Sequence, residues 1–330
     1  MYKRQVAKLV SAKTGDTLCD ADRVVKLPAP VFPKPSLFMA VTVAKKGDEG
    51  KISSALARLM EEDPTLCYIN NAETHQQVIG GLGEQHLDVV KAKLKNKFGV
   101  EIGLEAPRIA YRESIRKACQ KQGRHKKQTG GAGQYGDCWL RVEPLIGPDG
   151  TSDGYEFVDE VVGGRIPRSL IPAVDKGVQE TMKDGIIAGY PLTGIRVAVY
   201  DGSYHSVDSN EMAFRAAARI GLRKACADAD PVVLEPIEEI TVTIPESYAG
   251  AVMGDISASR GRVTGMETDE RGDTVVIAQA PLAELTDYST RLRSITRGTG
   301  DFTMKPAGYE QVPYDVQAKL VERYEEGRAK

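Results

Sequence analysis

The sequence predicts an α+β protein of several domains, in which two ferredoxin-like βαββαβ sandwiches flank a third α+β domain. Its 330 residues are more than one ordinary domain needs. Residues 38–104 and 240–305 each show the order strand, helix, strand, strand, helix, strand, which is the split βαβ arrangement. The segment between them does not follow that order. A hydrophobic content of 41% and a charged content of 27% are typical of globular proteins.

The first sandwich is predicted from hydrophobic spacing and from clear helix ends. Asp63-Pro64 ends the first helix and Gly99 ends the second, whose apolar face carries Leu87, Val90 and Leu94. Lysines crowd the last turns of this second helix, where they complement the helix dipole. The predicted elements, in order, are a strand at 38–45, a helix at 48–63, strands at 66–70 and 76–79, a helix at 83–98 and a strand at 100–104.

The central segment is predicted to hold a polar loop between a strand and a helix. Asp208 is the predicted helix cap, and Glu211 three residues later would complete a capping box. The loop before it, Tyr200–Asp208, would present an aromatic ring, a histidine and two hydroxyls to a partner. The predicted elements are strands at 135–144, 155–162 and 195–200 and helices at 168–183 and 210–226.

The second sandwich repeats the order of the first near the end of the sequence. A hairpin turn at 269–273 connects its middle strands. A lone helix is predicted at 314–326, and residues 1–31 are too short for a domain. The predicted elements are strands at 240–244, 263–267, 274–280 and 301–305 and helices at 248–259 and 282–296.

Charge is segregated along the chain although the net charge is only −2. Residues 233–330 carry a net charge of −6, whereas residues 107–142 carry +7. Such segregation favours contact of one surface with a polyanion, and a solvated basic face is the alternative. The basic side chains of the central segment are Arg108, Arg112, Arg116, Lys117, Lys121, Arg124, Lys126, Lys127 and Arg141.

Several classes of function are disfavoured by the sequence. Five widely spaced cysteines without a Cys-x-x-Cys pair argue against a disulfide or zinc framework and favour a reducing cytoplasm. No Gly-x-x-x-x-Gly-Lys-Ser/Thr motif is present, so no nucleotide triphosphate site is predicted. His75 and His86 lack partners at metal-ligand spacing, and a packing or capping role is predicted for His86. Ser203, His205 and Asp208 are the residue types of a hydrolase triad, but one short loop cannot easily make them converge. We therefore predict neither catalysis nor a metal site.

Glycine-rich and arginine-containing segments fit contact with phosphate. Gly131-Ala132-Gly133-Gln134-Tyr135-Gly136 matches G-x-G-x-x-G, but a strand rather than a helix follows it, which disfavours a dinucleotide site. The loop adjoins Arg124, Lys126 and Lys127 and suits close approach to a phosphate chain, or it simply connects strands. Arg260 and Arg262 lie at a predicted helix end, where they would bind terminal carbonyls or an RNA backbone.

Phrases along nearly the whole chain resemble the elongation factor G family of translational GTPases. In order, they are Thr14–Asp20, similar to the close of the second domain; Gly81–Asp88, similar to the third; Gly163-Gly164 with Ile166-Pro167, Ala188–Pro191, Asp201–Asp208 and Glu211–Phe214, similar to the fourth; and Arg260-Gly261, Gly265-Met266, Pro281–Glu284 and Leu292–Ser294, similar to the fifth.

The resemblance implies a domain plan and a set of contact residues. Residues 1–31 would be a remnant of the β-barrel second domain and a linker, 32–106 the third domain, 107–232 the fourth domain with a ribosomal-protein-S5-like fold, 233–312 the fifth domain and 313–330 a terminal helix. It implies two decoding-region tip loops, formed by Gly163, Gly164 and Arg165 and by Ser203, Tyr204, His205 and Ser206. The RNA-contacting basic residues would be Arg124, Lys126, Lys127, Arg260 and Arg262.

The resemblance also implies the partners and the activity. The chain would be the ribosome-binding arm of a factor for GTP-dependent tRNA–mRNA translocation, truncated before its GTPase domain. GTP and Mg²⁺ would belong to the full-length factor, with no cofactor in this chain. Its partners would be both ribosomal subunits with their RNA, tRNA, mRNA and the missing GTPase domain, and it would be a cytoplasmic monomer without membrane contact.

Departures from the family pattern point to the elongation-factor-G-like paralogous branch. Ala132 and Asp137 replace arginine and histidine of typical translocases, Arg165 replaces an apolar residue beside the first tip loop, and Ser259 replaces an arginine. Ribosome recycling, ribosomal protection and a stand-alone RNA-binding module therefore remain alternative functions.

Overall fold

A computed structural model of the chain describes residues 12–43, 47–128, 133–145 and 154–329. The chain divides into two compact units. The first unit is Met1–Ile109 with Glu238–Pro306, and the second unit is Ala110–Ile237 with Ala307–Lys330. Each unit has its own hydrophobic core. The structure is the α+β fold of several antiparallel sheets that the sequence predicts.

The first sandwich has the predicted order of elements. Its sheet order is β2-β3-β1-β4, with β1 antiparallel to both β3 and β4. Ile52, Leu56, Leu87 and Leu94 pack from the helices into one core. The elements are β1 Leu37–Val43, α1 Glu49–Glu62, β2 Cys67–Asn71, β3 Gln76–Gly81, α2 Glu84–Phe98 and β4 Ile102–Glu105.

Both helices of this sandwich end where the sequence predicts. Asp63 is the C-cap of α1, and Gly99, in the left-handed conformation, is the C-cap of α2. The side chain of His86 joins the two helix regions, because its Nδ1 accepts from the N–H of Leu82 at 3.0 Å and its Nε2 lies 2.9 Å from Asp63 Oδ2. These hydrogen bonds give His86 a structural role, in keeping with the packing or capping role that the sequence predicts. Burial alone would raise the pKa of Asp63, but hydrogen bonds from Thr65 and His86 outweigh it and lower that pKa.

The central segment contains two strands that the sequence analysis did not predict, and both lie in the basic stretch. Cys119–Lys127 pairs with Gln134–Pro144 along its whole length. This strand lacks the alternation of apolar and polar residues that predicts a strand, because most of its residues are polar or charged. The elements are β5 Arg112–Ile115, β6 Cys119–Lys127, β7 Gln134–Pro144, β8 Tyr155–Asp159, α3 Ile171–Asp184, β9 Ile195–Ser203 and α4 Glu211–Asp228.

Both helices of the central segment cover one face of the sheet β6-β7-β9-β8. Helix α4 approaches the strands closely, because it presents Ala213, Ala217 and Gly221 to glycines on them. A Cβ on Gly123 would lie 2.0 Å from the carbonyl oxygen of Ala217, and one on Gly136 would lie 2.3 Å from that of Ala213. Glycine is therefore required by space at these two strand positions.

The second sandwich repeats the fold, with sheet order β11-β12-β10-β13 and β5 added on β10. Its core includes Ile240, Val252, Tyr288 and Phe302. The elements are β10 Pro231–Ile244, α5 Ala249–Ala258, β11 Arg262–Thr268, β12 Thr274–Pro281, α6 Leu282–Leu285, α7 Tyr288–Thr296, β13 Asp301–Gln311 and the terminal α8 Tyr314–Ala329.

Three predictions about this sandwich were wrong. Strand β10 starts at Pro231 rather than at 240, because its first residues pair with β5. The helix predicted at 282–296 is two helices, because Asp287 leaves the helical conformation (φ −108°, ψ 8°) and starts α7. Strand β13 also continues to Gln311, beyond the predicted end at 305.

Residues 12–36 contain turns and bends but no regular element. The predicted β-barrel remnant at 1–31 stays a prediction, and residues 1–11 lie outside the described part of the chain. Within the described residues, no helix has both the length and the apolar content to cross a bilayer.

The cysteines differ strongly in burial. Cys19 is exposed, whereas Cys138 and Cys226 are fully buried in the core of the second unit. Burial raises the pKa of both buried thiols to about 12, so they stay neutral at physiological pH.

Candidate functional site

The predicted second tip loop lies between β9, which ends at Ser203, and α4, which begins at Glu211. The predicted cap was wrong. Asn210 caps α4, since its side chain accepts from the N–H of Ala213 at 2.9 Å, and Glu211 is the first helical residue. Asparagine is a favoured N-cap, so the signal was present in the sequence but two residues further along.

Asp208 instead fastens the loop to the start of β7. Its Oδ1 accepts from the N–H of Gly133 at 3.1 Å, and its backbone carbonyl accepts from the N–H of Tyr135 at 2.9 Å. The neighbouring Ser209 hydroxyl donates to the carbonyl of Tyr135 at 2.8 Å. These bonds hold the end of the loop on a rigid sheet. Residues 131 and 132 of the predicted glycine loop lie outside the described residues.

His205 lies at the exposed part of this loop, with 57% of its side chain accessible. Its backbone N–H donates to Ser209 Oγ at 2.9 Å. Its Nδ1 faces the N–H groups of Val207 and Asp208 at 3.4 and 3.3 Å and lies 3.4 Å from Asp208 Oδ2. The ring is thus held at its Nδ1 edge, and among the described residues Nε2 has no hydrogen-bond partner.

The first tip loop lies beside the second. Gly163 and Gly164 both have a positive φ, at 68° and 67°, and an added Cβ would meet nothing within 4 Å at either. Backbone conformation, rather than space, therefore requires glycine here. The next residue, Arg165, donates through Nη1 to both oxygens of Asp201, at 2.8 and 2.7 Å. This pairing lowers the pKa of Asp201.

The Arg165–Asp201 ion pair brings the two predicted tip loops together, since Asp201 lies two residues before Ser203 on β9. Large apolar side chains are exposed around them. Val162 is 75% exposed and Val207 78% exposed, and Tyr204 and Met212 are also accessible. The two loops form one exposed surface of polar and apolar groups at the end of β9 and the start of α4. We call it the tip surface.

The Ser203 hydroxyl is bonded to side chains of β7. It donates to Asp137 Oδ2 at 2.6 Å and lies 2.7 Å from the hydroxyl of Tyr135. Gln122 also donates to Asp137 Oδ1 at 2.7 Å. Asp137, which is almost fully buried, is thus satisfied by neighbours on β6 and β9. This network positions the tip surface; sequence reasoning did not predict it, because its members come from three strands.

The predicted basic residues of the central segment share strand β6. Arg124, Lys126 and Lys127 are all exposed. The guanidinium carbon of Arg124 lies 5.7 Å from the centre of the Tyr135 ring, and Tyr135 contacts Ser203. These contacts connect the basic strand with the tip surface. Within the described residues, Lys126 and Lys127 have no ion-pair partner.

Arg260 and Arg262 belong to the first unit. Arg260 Nε lies 3.0 Å from Glu284 Oε1, and the Nε and Nη2 of Arg262 donate to Gln279 Oε1 at 3.1 and 2.6 Å. Both arginines are therefore held by neighbouring side chains. Within the described residues, no group of three or more histidine, cysteine or acidic side chains is arranged to hold a metal ion.

Comparison with known proteins gives matches along most of the chain. The family models described as Elongation Factor G, domain III; Elongation factor G, domain IV; and Elongation factor G C-terminus match residues 32–106, 107–230 and 232–320. An elongation factor G-like protein of Thermotoga maritima is 49% identical over 315 residues, which are 96% of this chain and 46% of that protein. The chain thus spans about half the length of this curated relative.

A solved structure gives the same result for the fold. A crystal structure of a Thermus thermophilus protein is 39% identical and superposes with a TM-score of 0.78. The match covers 91% of this chain and 44% of that one.

Proposed function

This chain belongs to the elongation factor G family, and we propose that it is the ribosome-binding C-terminal arm of an elongation factor G-like translational GTPase. In this proposal the arm supports GTP-dependent movement of tRNA and mRNA on the ribosome. Residues 32–106, 107–232 and 233–312 act as the third, fourth and fifth domains. Residues 1–31 belong to the second domain, and 313–330 form a terminal helix.

The observation that carries the proposal is the tip surface. Arg165 and Asp201 join two exposed loops at one end of a rigid sheet, with His205 and Tyr204 projecting from the second loop. Such a surface suits contact with RNA by shape and hydrogen bonding. In the described part of the chain the Ser203 hydroxyl of this surface is bonded to Asp137 and lies beside the Tyr135 hydroxyl, an arrangement that favours a contact surface over a hydrolase triad.

The basic residues supply the electrostatic part of the proposed contact. Arg124, Lys126 and Lys127 extend along β6 beside the tip surface and meet phosphates there. Arg260 and Arg262 act at a separate RNA contact of the fifth domain. In this proposal GTP and Mg²⁺ bind to the part of a full-length factor that lies outside this chain, and the arm itself catalyses no reaction.

The first prediction concerns salt. Binding of the purified chain to ribosomes, measured by co-sedimentation, is expected to weaken steeply between about 50 and 200 mM salt, because each neutralised phosphate releases condensed counterions. The double variant Lys126→Gln/Lys127→Gln is expected to reduce the slope of log affinity against log salt by about 1 to 2. An unchanged slope would reject β6 as an RNA contact.

The matched control is Lys176→Gln/Lys183→Gln, which removes two exposed lysines from α3 of the same unit. This control is expected to leave the slope unchanged within error. Competition with excess free tRNA separates a ribosome-specific arm from a general RNA-binding module. Ribosome binding that survives a large excess of tRNA supports the proposal, and equal affinity for both contradicts it.

A further inference from the structure

Among the residues that the structure describes, α3 and α4 pack on one face of the central sheet and no helix packs on the other. On β7, Cys138, Leu140 and Val142 point into the core beneath α3 and α4. The intervening Trp139 must point to the opposite face, because side chains alternate along a strand. We call this the open sheet face. Its members are Gln120, Gln122, Arg124 and Lys126 on β6, Tyr135, Asp137, Trp139, Arg141 and Glu143 on β7, Arg196, Ala198, Tyr200 and Asp201 on β9 and Glu156 on β8.

Aromatic rings occupy the centre of this face. Trp139 is 36% exposed, although it lies on a central strand. Its ring centre is 6.4 Å from that of Tyr200, with an angle of 50° between the planes. A register shift between β7 and β9 leaves Tyr200 without a directly paired residue, since Trp139 pairs with Asp201 and Leu140 with Val199. This bulge turns the Tyr200 ring toward Trp139.

Positive charge lies at one end of the same face. On β6, Gln122 pairs directly with Trp139. Arg124 and Lys126 lie two and four residues further along this strand and therefore on the same face as Gln122. Lys126 is thus roughly 13 Å along the strand from the tryptophan. Within the described part of the chain neither residue has an ion-pair partner. The Arg124 guanidinium lies over the ring of Tyr135, a third aromatic of the face.

The acidic groups of the face are already bonded. Asp137 accepts from Gln122 and Ser203 and is nearly buried. At the far end, Glu143 Oε1 lies 3.0 Å from Arg141 Nε, and Glu156 Oε2 lies 3.4 Å from Arg196 Nε. One end of the face is therefore close to neutral, and the other is cationic.

We propose that the open sheet face binds single-stranded RNA, with bases stacked on Trp139 and Tyr200 and phosphates at Arg124 and Lys126. An exposed aromatic pair can stack only on bases that are not already in a duplex, and the neighbouring cations supply sequence-independent attraction. The open sheet face adjoins the tip surface, because Trp139 pairs with Asp201 and Tyr135 contacts Ser203. The inference deepens the proposed function and rests on it for the choice of RNA over DNA and for the basic residues Arg124 and Lys126. Its extent suits two or three nucleotides, about the number that an RNA-recognition sheet stacks.

The chain contains a single tryptophan, so the test needs no added label. Titrating the chain with a single-stranded hexauridylate is expected to quench Trp139 fluorescence, with a dissociation constant on the order of 10⁻⁴ to 10⁻⁶ M that weakens with salt. Tyr200→Ala is expected to weaken binding at least about fivefold, because it removes a ring on which a base stacks. Arg124→Gln is also expected to weaken binding at least about fivefold, because it removes a charge that contacts phosphate. Tyr200→Phe keeps the ring and should bind like the parent chain.

Several controls decide the outcome. Trp139→Leu, followed by anisotropy of a labelled oligonucleotide, should also weaken binding, and Lys176→Gln/Lys183→Gln should not. The proposal is overturned if the oligonucleotide causes no quenching, or if every face variant binds as tightly as the parent chain. It is also overturned if duplex RNA quenches equally, or if an acidic peptide quenches and RNA does not. Because ribosome co-sedimentation is measured separately, it can succeed while this titration fails. Tighter binding of the matching deoxyoligonucleotide would overturn the choice of RNA alone.

Discussion

Glu113 is a fully buried carboxylate in the second unit, and its environment is built from backbone groups. Its Oε2 accepts from the N–H groups of Ile186 and Ile187 at 2.6 and 3.0 Å, and its Oε1 from those of Ala188 and Tyr190 at 2.8 and 3.1 Å. Four donors in one turn compensate the cost of burying this charge. The side chain thereby fixes the loop that follows α3.

Removing this carboxylate should be strongly destabilising. Glu113→Ala is expected to lower the free energy of unfolding by about 3 to 5 kcal/mol, because four buried N–H groups lose a charged acceptor. Urea denaturation followed by Trp139 fluorescence measures it, since that residue lies in the same unit. Glu156→Ala, which removes a half-exposed partner of Arg196, should cost no more than about 1 kcal/mol. Similar losses in both variants would contradict this assignment.

At the scale of elements, α4 shows how one residue sets a boundary. Sequence reasoning chose Asp208 because an acidic residue followed three places later by Glu211 matches a capping box. Asn210 is an equally good cap by residue type. In the structure the Asp208 carboxylate accepts a hydrogen bond from the N–H of Gly133 at the start of β7, so Asn210 rather than Asp208 caps the helix. The information needed was the position of β7, which is distant in sequence.

The cap makes a quantitative prediction. Asn210→Ala is expected to lower the free energy of unfolding of the second unit by about 1 kcal/mol, because the N–H of Ala213 loses its acceptor. Glu211→Gln, which removes only a charge from the first turn, should cost about 0.5 kcal/mol or less. Thermal or urea unfolding of both variants provides the comparison. A loss for the glutamine variant equal to or larger than that for Asn210→Ala would contradict the assignment of Asn210 as the cap.

At the scale of the whole molecule, repeated element order was enough to predict two ferredoxin-like sandwiches, and the structure confirms that fold class. Strand β6 was not predictable from hydrophobic pattern, because its outward residues are the polar or charged Gln120, Gln122, Arg124 and Lys126 and its inward ones include Gly123 and His125. The full length of β10 was also missed, since the pairing of its first residues with β5 joins segments over a hundred residues apart. Similarly, the Arg165–Asp201 contact was not predictable from the sequence, because the fold brings these two residues together.

The proposed division of labour is testable in a factor of the relative's length that contains this arm. His205→Ala is expected to slow tRNA–mRNA movement at least about tenfold while leaving ribosome-stimulated GTP hydrolysis within about twofold. The reason is that the His205 ring is held on the tip surface only through local contacts at Nδ1. Toeprinting and phosphate release in one preparation give the two rates. Equal loss of both rates would show that the tip is not a separate probe.

Because one thiol is accessible and two are deeply buried, the rates at which the cysteines are alkylated can report how often the core of the second unit opens. An alkylating reagent should modify Cys19 within minutes, while Cys138 and Cys226 are shielded by the core and held as neutral thiols. These two sulfurs can react only when the sheet and α4 separate. Mass spectrometry of timed samples would therefore report how often that unit opens under native conditions, peptide by peptide and without any denaturant.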